Sequence, residues 1–324
     1  MPPRSIDIVD MYPKEPSDST RPIPGLVVII PAYNRRELLL ETLESVGLQT
    51  VAPCLVVIVD DGSSDGTPEA AEMWLSNHTM ACEVRIIRQT NAGVSAARNR
   101  GARECEKPDL LAFLDSDDLW PDDFVEQALL AFSQTPGLVA ATNDRLDVEH
   151  RSHGSTEKLF RWPVSSGSAT HSIINKHLAY PSCTVFRASV FQQAGGFPTG
   201  LNYGEDYILS LIVSSLGPWG RIDSAPTERR KFSNSPSQAT EHLSTLPSAD
   251  VLRNFAFILE AEALKHHCAD SLKQAITHRW RRAGKALAAE GRTHEARDCY
   301  ARAVGCDGWD VKARFRKLML GFAR

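Results

Sequence analysis

The chain has 324 residues, longer than a single hydrophobic core usually serves, so one large α/β domain with an accessory segment is expected. With 42% hydrophobic and 23% charged residues it is neither a disordered nor a fibrous protein, and a net charge of -4 excludes the broad basic footprint of a dedicated nucleic-acid binder. Seven cysteines, never spaced Cys-x-x-Cys, exclude a disulfide framework and a zinc ribbon, and with neither a ~20-residue apolar run nor a basic start ahead of an apolar core the expected location is cytoplasmic.

In chain order, residues 1–24 hold six prolines among polar residues and predict a flexible leader. Leu26 to Ile30 is a continuous apolar run ending at Pro31, and Leu55 to Val59 repeats it, ending at Asp60. Runs apolar on both faces predict central parallel strands. Between them Leu39, Leu40, Leu43 and Val46 stand near helical spacing in a helix over 36–48, and a second helix follows Thr67-Pro68, where Thr67 or Asp65 can cap. The alternation continues with strands over 84–87, 110–114 and 138–142 and helices over 94–105 and 121–132, which predicts a doubly wound sheet. In such sheets ligands sit beyond the carboxyl ends of the strands. From residue 250 the chain is helix-rich and basic, with 15 Lys and Arg against 9 Asp and Glu, and 286–304 reads as one tetratricopeptide-like hairpin inside a packed helical cap. The tail over 312–322 mixes basic and bulky apolar residues, suited to an anionic membrane surface or to packing on the rest of the chain.

The strand ends carry the chemistry. Phe113-Leu114-Asp115-Ser116-Asp117-Asp118 runs a buried strand into three carboxylates. The two-residue period of an extended chain puts Asp115 and Asp117 on one face. That pair suits a hard divalent ion, magnesium or manganese, and reads equally as a solvated turn capping the next helix. Asp60-Asp61-Gly62 offers acceptors for a base N–H or a ribose hydroxyl, or an ordinary Asx turn. Asn91 to Gly101 places Arg98 on a helix after a turn, where a guanidinium can clamp a phosphate. His150 with His153, and His266 with His267, have no further ligands beside them and read as surface histidines.

Together with Ile29-Ile30-Pro31-Ala32-Tyr33-Asn34-Arg35, these segments closely resemble family 2 glycosyltransferases over roughly residues 25–232. The resemblance implies a GT-A type, Rossmann-like, mostly parallel α/β sheet with a C-terminal helical segment. It divides the chain into the leader, a catalytic domain over 25–232 (nucleotide-sugar half 25–142, acceptor half 143–232) and a basic helical segment over 233–324. By the same resemblance, Pro31 and Tyr33 lie beside the nucleobase and Asp60 and Asp61 contact base and ribose. Arg98 lies near the diphosphate, Asp115 faces ribose and metal, and Asp117 is the main metal ligand with Asp118 its neighbour. The motif Gly195-Gly196-Phe197 … Gly204-Glu205-Asp206 implies Asp206 as the base that deprotonates the acceptor hydroxyl, with Glu205 in reserve. Members often carry an arginine in the helix after this pair, where Ile212 stands, and a histidine after the later basic segment, where Arg229-Arg230-Lys231-Phe232 has none.

The implied activity is metal-dependent, inverting transfer of a sugar from a nucleoside diphosphate sugar to a saccharide or lipid-linked saccharide, commonly in polysaccharide or cell-envelope synthesis. The expected partners are that donor and acceptor, with peripheral membrane contact through the basic C-terminus. A sugar nucleotidyltransferase would need a glycine-rich basic loop after the first strand, where Pro31-Ala32-Tyr33-Asn34 stands. A non-catalytic scaffold would have no use for the acids at 60, 61, 115, 117 and 206.

Overall fold

The computed structural model describes residues 25–104, 106–151, 154–164, 166–176, 179–201, 204–232, 248–306 and 316–317. The expected leader, Cys105, His153 and nearly all of the basic tail lie outside them. Among the described residues no helix is long and apolar enough to cross a membrane.

The predicted alternation is present: β1 (Leu26–Ala32), α1 (Arg36–Gly47), β2 (Leu55–Asp60), α2 (Thr67–Asn77), β3 (Glu83–Arg88), α3 (Val94–Arg103), β4 (Leu110–Phe113), α4 (Phe124–Gln134) and β5 (Ala140–Thr142). β1 and β2 are buried at every position, as their unbroken Val, Ile and Leu runs require of strands covered on both faces. Leu39, Leu43 and Val46 form the buried face of α1. The fourth helix starts three residues later than its sequence suggested, because the Phe124 N–H closes a tight turn on the Pro121 carbonyl (3.1 Å).

Strands β1 to β4 run parallel in the order β3-β2-β1-β4. Beyond β4 the sheet departs from simple winding. β9 (Thr184–Arg187) enters antiparallel between β4 and β5, pairing Leu110 with Arg187 and Ala140 with Phe186. β10 (Trp219–Arg221) and the two-residue β8 (Ser166–Gly167) complete eight strands. A second sheet, order β11-β6-β7, is built from β6 (Arg145–Arg151), β7 (Gly154–Phe160) and β11 (Thr227–Phe232). It is tied to the turn after β4 by a bridge between Leu119 and Glu228.

Helices α5 (Thr170–Lys176), α6 (Ala188–Gln193) and α7 (Glu205–Leu216) cover the sheet, followed by α8 (Ala249–Lys265), α9 (Lys273–Ala289) and α10 (Thr293–Cys306). The hairpin expected over 286–304 is wider, formed by α9 and α10 over 273–306, joined at Gly291 (φ +77°) and packed where Gly284 meets Tyr300. Of the two hydrophobic clusters on the faces of the sheet, one runs from Val27 and Ile29 through Phe113, Phe197 and Tyr207 to Phe255, Trp280 and Tyr300, so the C-terminal helices share the core on that face. α3 lies hard on β1: a Cβ at Gly101 would stand 2.5 Å from Ile29 Cγ2, closer than any side chain permits. Only glycine there lets the helix sit low enough to aim Arg98 over the strand ends.

Candidate active site

At the end of β1, Pro31 is buried and Tyr33 is 45% exposed. Asn34 takes a left-handed backbone (φ +50°), fixed because its N–H donates to Ser63 Oγ (2.9 Å) and its Oδ1 accepts from the Ser64 N–H (2.9 Å). Asp60, in register with Ala32, is buried. Its Oδ2 accepts from the Ser63 N–H (3.2 Å), while its Oδ1 is buried without a hydrogen-bond partner. A buried acceptor left open is costly unless a ligand N–H or O–H fills it. Asp61 is differently employed. Its Oδ1 accepts from Gln89 Nε2 and the Ala92 N–H, and its Oδ2 from the Gly93 N–H, all at 2.8 Å. The neighbouring aspartates, alike in sequence, therefore divide into one with an open oxygen and one that builds the turn leading into α3.

After β4 the chain turns instead of running extended as its sequence suggested, the Asp118 N–H closing on the Asp115 carbonyl (3.0 Å). Asp115 and Asp117 each keep about a fifth of their side chains exposed, whereas Asp118 is sealed. Asp118 is structural: its Oδ2 accepts from the Ser182 hydroxyl (2.5 Å) and its Oδ1 from the Arg230 N–H (3.2 Å). Arg230 also donates from Nε to the Asp117 carbonyl (2.6 Å) and pairs with Glu41. Arg35 reaches Asp117 Oδ2 from the start of α1 (3.3 Å). Burial, and next the charge of Asp115, pushes the Asp117 carboxyl up, while Arg35 pulls it back. Asp115 Oδ2 and Asp117 Oδ1 carry no partner among the described residues, where no group of three or more His, Cys, Asp or Glu is set to hold a metal ion. The arrangement thus fits a hard cation held by two carboxylates, with its other oxygens supplied by phosphate and water. His150 stacks on Phe232 and His266 faces Glu262 (3.4 Å), while His153 lies outside the described residues.

Arg98 links the two acidic centres. Only 3% exposed, it donates from one terminal nitrogen to Asp115 Oδ1 (2.6 Å) and from the other to Glu205 Oε1 (3.0 Å), above the Phe197 ring. Burial works against its charge, but Asp115 and then Glu205 outweigh it and hold the guanidinium firmly protonated. Burial and the charge of Asp206 raise the Glu205 carboxyl in turn, against the pull of Arg98. Glu205 and Asp206 open α7 after Gly204 (φ +84°), and Asp206 Oδ1 accepts from the Tyr207 N–H (2.7 Å), at the electropositive end of the helix. Beside Arg98, the Asn99 amide donates to the Phe197 carbonyl (2.7 Å) and accepts from the Phe197 N–H (2.9 Å). At Gly196 a Cβ would lie 2.6 Å from Asn99 Oδ1, so the Gly-Gly-Phe segment is a docking point for α3.

Arg98→Lys keeps the charge but loses the fork, so one carboxylate is left without its bond. Stability is expected to fall by about 1.5–3 kcal/mol, read from the denaturant midpoint at unchanged slope. Parental stability would show that the bridge contributes little.

Arg35, Asn99, Ser182 and Arg230 were not singled out from sequence. Arg35 closes the quoted segment from Ile29, Asn99 adjoins Arg98 and Arg230 lies in a noted basic run, but Ser182 has no local signal. Where Ile212 stands, the helix is simply core.

The family model described as Glycosyl transferase family 2 matches residues 27–195. The chain is 31% identical over 210 residues to a chondroitin synthase of Escherichia coli, covering 64% of this chain and 29% of that protein. It is 29% identical over 217 residues to a hyaluronan synthase of Pasteurella multocida, covering 66% and 21%. The chain spans less than a third of the length of these two relatives. Among solved structures, S. aureus TarS 1-349 in complex with UDP-GlcNAc superposes with a TM-score of 0.61 at 17% identity, covering 91% of this chain and 89% of that one. The mannosyltransferase PcManGT of Pyrobaculum calidifontis, in complex with GDP-Man and Mn2+, gives 0.51 at 20% identity, covering 92% and 84%.

Proposed function

The chain belongs to glycosyl transferase family 2 and is a glycosyltransferase, and from that premise we propose that it moves a sugar, with inversion, from a nucleoside diphosphate donor to a hydroxyl of a saccharide or lipid-linked saccharide in polysaccharide or cell-envelope glycan synthesis. The observation that carries this reading is the Arg98 bridge, which gathers Asp115 of the donor side and Glu205 of the acceptor side onto one guanidinium. The relatives' names support a polymer product, and the nucleotide sugars bound to the two structural neighbours support the donor class.

In this reading Pro31 and Tyr33 border the nucleobase, and the open Oδ1 of Asp60 accepts from the base or the ribose. Asp61 holds the loop that delivers α3. Asp115 and Asp117 would hold manganese or magnesium, which when bound supplies positive charge beside the departing diphosphate. Arg98 fixes Asp115 and Glu205 in place and adds cationic field to the same region. Asp206, with Glu205 in reserve, takes the proton of the attacking hydroxyl.

A thermal-shift panel of UDP and GDP sugars, each with and without manganese, tests the reading. A ligand at 100 times its Kd adds about 2.7 kcal/mol of stability, so the correct donor with manganese raises the melting temperature by several degrees. A shift with no nucleotide sugar overturns the donor assignment. An equal shift without manganese overturns the part played by the cation.

A further inference from the structure

Two glycine turns frame the loop that leads to Glu205, and both rest on α8. At Gly195 (φ +79°) a Cβ would lie 3.2 Å from His266 Nε2; at Gly204 (φ +84°) it would lie 2.3 Å from Phe255 Cε2. Backbone and space both demand glycine at Gly204. His266 directly follows the last turn of α8 and Phe255 lies eleven residues before it, a span of roughly 16 Å at helical rise. The helix therefore reaches from one end of the loop to the other. α9 adds a second contact: the Arg279 guanidinium lies 4.3 Å above the Tyr207 ring and 4.9 Å above the Phe255 ring, with those rings 5.9 Å apart. Gly204 precedes Glu205-Asp206 and Tyr207 follows it, so the C-terminal helices grip the carboxylate pair from both sides.

We propose that α8 and α9 are a splint for the acceptor side of the site, with Phe255 and Arg279 as positioning residues that set the aim of Asp206 without touching substrate. The proposal rests on the reading of Asp206 as the base. It gives the basic helical segment a part in the chemistry.

The test uses the full chain with Phe255→Ala, Phe255→Leu, Arg279→Met and, in parallel, Asp206→Asn. Turnover is followed as nucleoside diphosphate released from UDP-GlcNAc or GDP-mannose with manganese, nucleotide affinity by calorimetry with UDP and GDP, and local order by hydrogen exchange. Since a misplacement of 1 Å can cost about 10²-fold in rate, Phe255→Ala and Arg279→Met should lower kcat by roughly 10- to 100-fold while nucleotide affinity stays within a few-fold. Phe255→Leu should recover most of the rate. Exchange should quicken over 197–209 and stay unchanged over 113–119. Parental kcat in folded Phe255→Ala and Arg279→Met, with Asp206→Asn impaired, overturns the splint and leaves the base assignment standing. Parental turnover in Asp206→Asn overturns the base, and the splint's catalytic role with it. Should Phe255→Ala not fold, Arg279→Met decides; loss of nucleotide affinity together with rate in that variant marks a general packing role and overturns the proposal. Exchange needs no turnover, and unchanged exchange over 197–209 in both variants also overturns it.

Discussion

Asp206→Asn is expected to slow sugar transfer by about 10²- to 10⁴-fold, the contribution of a well-placed general base, while affinity for nucleoside diphosphate with manganese stays within a few-fold of the parent. The substitution is nearly isosteric. Its side-chain oxygen can still accept from the Tyr207 N–H at 2.7 Å, so the first turn of α7 keeps that local bond while basicity is lost. Single-turnover rates beside calorimetry separate the two effects. If the Asn variant transfers at a near-normal rate, Glu205→Gln becomes the test of the base. If neither change slows transfer, the pair serves only the helix end. Loss of donor affinity along with rate would place Asp206 in the donor site.

Asp117→Ala should abolish cation-dependent binding of nucleoside diphosphate. It removes one of the two carboxylates with an open oxygen on the turn after β4 and leaves Arg35, 7% exposed, without its ion-pair partner. Calorimetry with UDP or GDP and manganese reads the loss, and parental affinity would overturn the assignment. The parent should also show a distinctive acid response. A cation needs its ligands deprotonated, and burial raises the Asp117 carboxyl, so protons displace the cation at a higher pH than an ordinary aspartate would allow. Manganese-dependent affinity should therefore weaken early on acidification, and titrating it against pH in the parent gives the check.

The parts legible in the sequence were those written in local periodicity. Apolar runs announced β1, β2 and β4, and Asp115 and Asp117 are the more exposed acids of the next segment, as the sequence suggested. That segment is nevertheless a turn and not the extended chain the two-residue period assumes, and the burial of Asp118 was not foreseen. The parts missed depend on contacts between residues far apart in sequence. β9 is four residues long, and nothing within Thr184–Arg187 reveals an antiparallel strand wedged between two parallel ones. Ser182 and Arg230 matter through bonds to Asp118 across 64 and 112 positions. Asp60 and Asp61 stand side by side in the sequence, and only their hydrogen bonds tell them apart. Arg98 was expected beside phosphate, and its position between two carboxylates became visible only once α7 was in place.

The antiparallel β9 bears on how the molecule comes into being. Its pairing with β4 joins Leu110 to Arg187, 77 positions later. At ribosomal speed that separation is about 4 to 15 seconds. For that interval the hydrogen-bonding edge of β4, directly beneath the Asp115 turn, has no neighbour and invites pairing with other chains. Ser182, which anchors Asp115 and Asp118, arrives with the same segment. The nascent chain thus cannot finish its acidic turn before the far side of the site has been synthesised, and α8 and α9 reach the Gly204 turn later still. Maturation is tied to translation as far as α9, so a chain released before Lys273–Ala289 would not carry a working half of the site.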